Sequence, residues 1–317
     1  MKISVAMATY NGAKYITEQL DSIFKQSQLP DELVVCDDCS VDNTLNILKE
    51  CAQNAPLEMK IFINEQRLGY SRNFERCMQL CTGEIIFISD QDDVWFTNKI
   101  EKIAAIARSS GTKQVFVHDA LFTDHRLNSM HITNSSQQNA QNSHIMGGQA
   151  GCCTAVKKQF VDAIFPSQGL YNHTPGYDVW INHLSYYSDS RCFVQDCLQY
   201  RRFHDGNASD SLLRFSIRRY FSNYKNIRQI LSQKLDFLCR VQGMSQKIAH
   251  SFHCGNLDEK YSHKQQLLKN RIENLRYRLY LFQLSRLQKI RSAAWFYFRG
   301  GYADFNGWKS LLSDVVS

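Results

Sequence analysis

The sequence predicts an α/β fold: a Rossmann-like, mostly parallel twisted sheet flanked by helices, followed by a mainly helical C-terminal extension. Three observations predict it. Short apolar runs begin near residues 3, 33, 59 and 85, at intervals of 30, 26 and 26 residues, the spacing of successive βα units. Between them, apolar residues recur at helical spacing. Each run ends in polar residues, so hydroxyls, amides and carboxylates gather on one rim, and open α/β sheets bind ligands just beyond the carboxyl ends of their strands.

Residues 3–8 form the first strand, with Thr9-Tyr10-Asn11-Gly12 as its turn and Tyr15, Ile16, Leu20, Ile23 and Phe24 as the apolar face of a helix. Leu33-Val34-Val35-Cys36 is the second strand, closed by Asp37-Asp38-Cys39-Ser40 and followed by a helix through Leu45, Leu48 and Cys51. Met59, Ile61 and Ile63 mark the third strand, which ends at Asn64. Gly69 and Ser71 then lead into a helix bearing Phe74, Cys77, Met78 and Cys81. Ile85-Ile86-Phe87-Ile88 is the fourth strand, apolar throughout and so buried on both faces. A helix through Ile100, Ile103, Ala104 and Ala107 follows, then a strand at Val115-Phe116-Val117 ending in His118-Asp119.

The chain has 317 residues, 44% hydrophobic and 21% charged, which is ordinary globular composition. It shows neither the charged and apolar stretches of a signal peptide nor a run of about 18 apolar residues, so a cytoplasmic location is expected. Eleven scattered cysteines favour reduced thiols over a disulfide framework. Cys36-Asp37-Asp38-Cys39 spells C-x-x-C, but Cys36 closes an apolar strand and no second pair accompanies it, so a buried thiol is preferred to a redox centre. Residues 1–207 carry a net charge of −5 and residues 208–317 one of +12, and this divides the chain into an acidic domain (1–207) and a basic amphipathic region (208–317), the latter pointing to an anionic partner.

The fourth strand runs into Asp90-Gln91-Asp92-Asp93, three carboxylates in four residues, which suit a divalent cation and an anionic substrate. If the chain stays extended past Ser89, Asp90 and Asp92 point to one side and Asp93 to the other, leaving Asp93 as a helix cap or supporting group. A solvated turn is the alternative. No Gly-x-Gly-x-x-Gly follows the first strand and no Gly-Lys-Ser/Thr loop occurs, so a nucleotide would be held otherwise. A carboxylate at the end of the second strand can accept the N3–H of uracil or thymine, and a metal at the fourth can hold a diphosphate.

Thr9-Tyr10-Asn11, Asp37-Asp38-x-Ser40-x-Asp42-x-Thr44, Asn64-x-x-x-x-Gly69-x-x-x-Asn73 and Asp90-x-Asp92-Asp93, in this order, resemble the successive motifs of family 2 glycosyltransferases with the GT-A fold. The resemblance covers roughly the first 205 residues, and Ser89-Asp90-Gln91-Asp92-Asp93-Val94-Trp95 is similar to the rhamnosyltransferase-like members that build bacterial surface polysaccharides of O-antigen or capsule type. It implies that Asp37 or Asp38 contacts the pyrimidine of a UDP- or dTDP-sugar, that Asp90 serves the ribose and metal region, and that Asp92 binds Mn²⁺ or Mg²⁺. Thr9, Tyr10 and Asn11 would line the nucleotide pocket or simply form the turn, and Arg72 either reaches the diphosphate or is a surface charge.

Asp178, in Gly176-Tyr177-Asp178-Val179-Trp180, resembles the acidic position that opens a helix in this family, although Tyr177 and Val179 depart from the usual His and Trp. Inverting transfer needs a carboxylate to take the acceptor's hydroxyl proton, and Asp178 is the candidate base; capping its own helix is compatible with that role. Arg202-Phe203-His204-Asp205-Gly206-Asn207 looks like the Arg-x-His-x-x-Asn segment that follows the last core strand, so His204 would ligate the metal or, with Arg202, meet the leaving diphosphate. His118-Asp119 is read as a structural pair ahead of a metal site. Residues 128–143, rich in Asn, Ser and Gln, are expected to form a mobile loop, a lid or plain surface, with Gly147–Cys153 towards the acceptor.

In the last 110 residues, Leu212 to Arg228 and Leu267 to Leu287 interleave apolar and basic residues, as in helices lying on an anionic bilayer; a homo-oligomer or packing domain is the alternative. Nucleic acid is not an expected partner, because no recognised module accompanies the charge. Together these readings describe a metal-dependent inverting transferase acting on a lipid-linked acceptor at the inner face of the cell membrane, with a catalytically silent nucleotide-sugar-binding scaffold as the alternative.

Overall fold

The computed structural model describes residues 1–136, 150–165, 176–204, 227–252, 259–302, 310–311 and 314–315. The chain divides into two compact units, Met1–Ala208 and Ser209–Ser317. In the first unit, β1 (Ile3–Thr9), α1 (Ile16–Phe24), β2 (Glu32–Asp37), α2 (Thr44–Gln53), β3 (Glu58–Ile63), α3 (Tyr70–Leu80) and β4 (Ile85–Ser89) follow the expected βα alternation. Next come β5 (Val94–Trp95), α4 (Lys99–Ser109), β6 (Val115–Thr123), β7 (Ser129–Thr133), a 3₁₀ turn (Gly151–Cys153), β8 (Thr154–Lys157), α5 (Lys158–Ile164), α6 (Tyr177–Tyr187) and β9 (Arg191–Arg202).

These strands make one mixed sheet in the order β3-β2-β1-β4-β8-β6-β9-β5, with β7 on β6. β3, β2, β1 and β4 pair in parallel, β8 runs antiparallel to both β4 and β6, and β9 returns parallel to β6. Within the parallel half, β1, β2 and β4 are buried on both faces, which is why they read as largely apolar runs, while β3 is a partly exposed edge strand. Ile16, Leu20 and Ile23 of α1, with Ile100, Ile103 and Ala104 of α4, pack on Val5, Met7, Val35 and Phe87 in one core cluster. The register pairs Thr9 with Asp37 and Met7 with Ser89, so the strands end together at one edge.

Three expectations are corrected. The strand begun at Val115 does not stop at His118-Asp119 but continues to Thr123, because it is a central strand with partners on either side. Within residues 128–143, Ser129–Thr133 is a strand rather than loop; it is almost wholly exposed, so its polar composition hides it, and residues 137–149 lie outside the described region. The chain also turns after Ser89 instead of staying extended, which overturns the sidedness expected of Asp90, Asp92 and Asp93.

The second unit is helical where described: α7 (Ile227–Phe252), α8 (Glu259–Leu281) and α9 (Arg286–Phe298). Residues 212–226, on which half of the basic amphipathic pattern falls, lie outside the described region, as do Asp205, Gly206 and Asn207. No described helix is long and apolar enough to cross a membrane.

Candidate active site

The motif residues after β1 and β2 build one another. Asp37 Oδ1 accepts hydrogen bonds from Thr9 Oγ1 (2.8 Å) and Ser40 Oγ (2.6 Å), and its Oδ2 accepts one from Ser40 N (2.8 Å). Ser40 Oγ in turn accepts from Asn11 N, Asn11 Oδ1 accepts from Val41 N, and Thr44 Oγ1 accepts from Gly12 N. Asn11 has φ 48°, within the left-handed region that Asn tolerates. Thr9, Asn11 and Asp37 thus lock two loops together, with Asp37 and Thr9 buried.

Asp38 ties in the next loop. Its Oδ1 accepts from Asn64 Nδ2 (2.8 Å) and Leu68 N (2.6 Å), and its Oδ2 from Gly69 N (2.8 Å). Among the described residues this leaves the Asp38 carboxylate one acceptor position, on Oδ2. Asn64 also bonds Asn73 and Arg76, which explains why these polar types recur at fixed spacing. Beside this cradle Tyr10 is half-buried, and the exposed Arg67 guanidinium lies over its ring at 3.9 Å. Arg72 is exposed on the first turns of α3.

Gln91 joins the first and fourth strand ends: Tyr10 N donates to its Oε1 (2.9 Å) and its Nε2 donates to Tyr10 O (3.0 Å). A Cβ on Gly12 would lie 2.3 Å from that Oε1, so the glycine makes room for the bridge.

The acidic cluster divides differently from the extended reading. Asp93 is the buried member: Gln199 Nε2 donates to its Oδ2 at 2.7 Å and Arg202 N to its Oδ1 at 3.1 Å. It is not the cap of α4, whose N-cap is Asn98. Asp90, Asp93 and Cys152 bring ligand atoms within 4.8 Å of one another. Burial, then the neighbouring Asp93 and Asp92 charges, push Asp90 up to about 8; burial and Asp92 push Asp93 up to about 6. Asp92 Oδ2 lies 2.9 Å from His204 Nε2, so these two predicted ligands do meet, and His204 packs on Tyr15 with ring centroids 4.6 Å apart.

Burial and the neighbouring carboxylate charges raise both Asp90 and Asp93, and a divalent cation at these oxygens would relieve that crowding. Among the described residues the ligand atoms that converge are those of Asp90, Asp93 and Cys152, while the expected ligands Asp92 and His204 meet each other.

Lys99 lies behind this cluster with no solvent exposure. Its Nζ donates to Gln199 Oε1 (2.6 Å) and to Cys152 O (3.0 Å) and sits 3.7 Å from the Trp95 ring centroid. Burial pulls it down to about 8. Arg202, expected at the diphosphate, is only 2% exposed; its guanidinium donates to Asp92 O, His125 O and Glu18 Oε2, so it fastens the loop around Asp92. Its neighbour Arg201 is the half-buried arginine whose charge acts on Asp90, Asp93 and Asp178 alike. His118 is buried and neutral, with Nδ1 2.7 Å from Asp119 O, and Asp119 Oδ1 accepts from Ala120 N and Ser135 N, in keeping with a structural pair.

Asp178 stands in the first turn of α6, whose N-cap is Gly176; Asp178 is therefore not the cap, and its Oδ1 accepts from Val179 N at 2.9 Å. Burial raises its pKa. The helix start is fastened to α3, where Ser71 Oγ accepts from Tyr177 N at 2.9 Å, and Phe74 packs on the Tyr177 ring. A Cβ on Gly176 would lie 2.4 Å from Tyr70 Oη, and one on Gly151 would meet Tyr177 Oη at 1.9 Å. Tyr177 feels the charges of both Asp90 and Asp178.

Arg67, Ser71, Gln91, Lys99, Gln199 and Arg201 were not foreseen. Only Gln91, lying inside the acidic motif, and Ser71, leading into a helix, carried a local signal.

Residues 4–165 match the model of the family described as Glycosyl transferase family 2. A dTDP-rhamnosyl transferase, RfbG, from Shigella flexneri is 39% identical over 99 residues, 30% of this chain and 34% of that protein. An uncharacterized glycosyltransferase of Nostoc is 24% identical over 256 residues, 76% of this chain and 77% of that one. Among solved structures, Staphylococcus aureus TarS residues 1–349 in complex with UDP-GlcNAc superposes with a TM-score of 0.59 at 17% identity, covering 98% of this chain and 90% of that one. A Pyrobaculum calidifontis mannosyltransferase in complex with GDP-Man and Mn²⁺ gives 0.53 at 14% identity, covering 99% and 86%. These likenesses show the GT-A fold.

Proposed function

The chain belongs to glycosyltransferase family 2, and from that premise we propose that it moves a sugar, with inversion, from a nucleoside-diphosphate donor to a hydroxyl of a lipid-linked bacterial glycan. One observation carries the reading. The charges of Asp90, at the end of β4, and of Asp178, at the start of α6, act on the same two side chains, Tyr177 and Arg201, which supports reading the two carboxylates as the donor and acceptor sides of one site.

Asp178 is the base. As the acceptor oxygen bonds to the anomeric carbon and the bond to the diphosphate breaks, its carboxylate takes the hydroxyl proton. An ordinary Asp near ~3.9 is a weak base, and burial strengthens this one. The Asp38 carboxylate offers its remaining acceptor position to the N3–H of a pyrimidine, while Tyr10 and Arg67 present a stacked platform to the base. Thr9, Asn11 and Asp37 hold that cradle rigid. Arg72 and Arg201 supply positive charge to the diphosphate, and Arg202 keeps Asp92 in place. Asp92, His204 and Asp90 would hold a Mn²⁺ or Mg²⁺, which would neutralise charge on the leaving diphosphate.

The RfbG likeness supports a deoxysugar donor such as dTDP-rhamnose. An Escherichia coli relative, 24% identical over 182 residues, is named for glucosyl transfer to a GlcNAc-diphosphoundecaprenol, which supports a lipid-linked acceptor and a place at the cytoplasmic face of the membrane. Nucleotide-sugar binding with Mn²⁺, followed by turnover with a lipid-linked saccharide, tests the proposal: Asp178→Asn that binds donor but turns over as the parent does would refute it.

A further inference from the structure

Helix α9 has two apolar faces. Successive helical residues turn about 100°, so Leu287, Ile290, Arg291 and Phe298 share one side while Ala293 and Phe296 lie roughly opposite. The inner side is buried: Phe296 stacks on Tyr277 of α8 (ring centroids 4.5 Å) and on Tyr302 (5.0 Å). Tyr302 Oη donates to Asp314, which also receives a bidentate pair from Arg278 of α8 at 2.7 and 2.8 Å. The helix is therefore anchored, and what its other side shows to solvent is built into the fold.

That outer side is unusual for a soluble helix. Leu287 is 78% exposed, Phe298 85%, and Trp295, on its flank, 52%. Several bulky apolar side chains exposed on one side of an anchored helix mark an interaction site. Its charge indicates the occupant. Residues 286–298 include three basic residues and no acidic one, Arg291 and Arg299 are exposed, and the Arg299 guanidinium lies 4.7 Å from the Trp295 ring centroid. The unit as a whole carries +12. Bulky apolar and indole side chains among basic groups, on a helix too short and too basic to span, match the water–lipid boundary of an anionic bilayer.

We propose that the outer face of α9 docks the protein on an anionic membrane surface, with Leu287 and Phe298 entering the acyl boundary and Arg291 and Arg299 meeting the headgroups. The proposal rests on the lipid-linked acceptor reading, and it places the contact on a helix distinct from the sugar-transfer chemistry.

The test is partition of the full-length protein onto vesicles of phosphatidylcholine with and without phosphatidylglycerol. The parent is expected to bind only the anionic vesicles, more weakly at high salt. Leu287→Ser and Phe298→Ser are each expected to lower that partition by about tenfold or more, with circular dichroism and elution volume unchanged. Transfer to a soluble acceptor analogue is expected to survive both substitutions, so loss of vesicle binding is read separately from loss of the transferase activity. Equal partition of parent and variants, or a parent that ignores anionic vesicles, would overturn the proposal. A parent dimer that the same substitutions dissociate, with partition intact, would also overturn it and assign the face to a second copy of the chain.

Discussion

The hydroxyl of Ser71, in the first turn of α3, accepts a hydrogen bond from the backbone N–H of Tyr177 at 2.9 Å and so fixes the start of the helix that carries Asp178. Two helices more than a hundred residues apart are joined at their N-termini, and the proposed base takes its position from the βα unit that also carries the proposed donor cradle. Ser71→Ala is expected to lower kcat about fivefold, the worth of one hydrogen bond near 1 kcal/mol, with donor KM unchanged. Ser71→Thr should restore most of the loss. Steady-state kinetics of the three proteins checks this.

Burial raises Asp178 above the ordinary carboxylate value, which sets the sign of a pH effect. As the proposed base, Asp178 is competent only when deprotonated, so turnover should fall as pH drops through the raised value. The acid limb of the kcat profile is therefore expected above the usual ~3.9 of Asp. A limb at or below that value would remove the burial argument.

Lys99 is a buried cation bridging Gln199 and the Cys152 carbonyl behind the acidic cluster. Lys99→Met fits the volume but leaves the Gln199 amide oxygen unpaired and the cluster's negative charge unbalanced. A loss of about 3 kcal/mol is expected, read as a fall in Tm on the order of 8 °C. An unchanged Tm would show that Gln199 repacks freely.

Glu32 is fully buried at the start of β2. Burial alone would raise it, but hydrogen bonds from Lys60, Ser4 and Thr82 outweigh that and hold it at about 2. A folded value below the unfolded one means that its stabilisation is complete above about pH 4.3 and is lost as pH falls toward 2. With the Lys60 partner partly open to water, the contribution is on the order of 2 kcal/mol. Urea unfolding of Glu32→Gln should show that deficit at pH 7 and a narrowing gap with the parent towards pH 3.

The parallel half of the sheet was legible because strands buried on both faces must be apolar and the helices covering them must repeat at helical spacing. The cradle was legible for a different reason: Thr9, Asn11, Asp37, Ser40, Asp42 and Thr44 bond mainly to one another, so a local network leaves a local motif. Asp93 is not the expected helix cap, and the sidedness expected of the three carboxylates fails because the backbone turns after Ser89. Its alternative role as a supporting group accords with its bonds to Gln199 and Arg202. β7 was missed because an exposed edge strand needs no apolar face. Lys99, Gln199 and Arg201 gave no signal and Ser71 only that of a helix start, since each acts on residues that only the fold brings near.

The central claim, that Asp178 takes the acceptor's proton in a pocket whose donor side is held by Asp38 and Asp92, is tested most directly by Asp178→Asn measured for donor binding and turnover on one preparation. The account predicts donor affinity within about twofold of the parent and kcat lower by about 10²-fold or more. Turnover equal to the parent's, with donor binding intact, would contradict it.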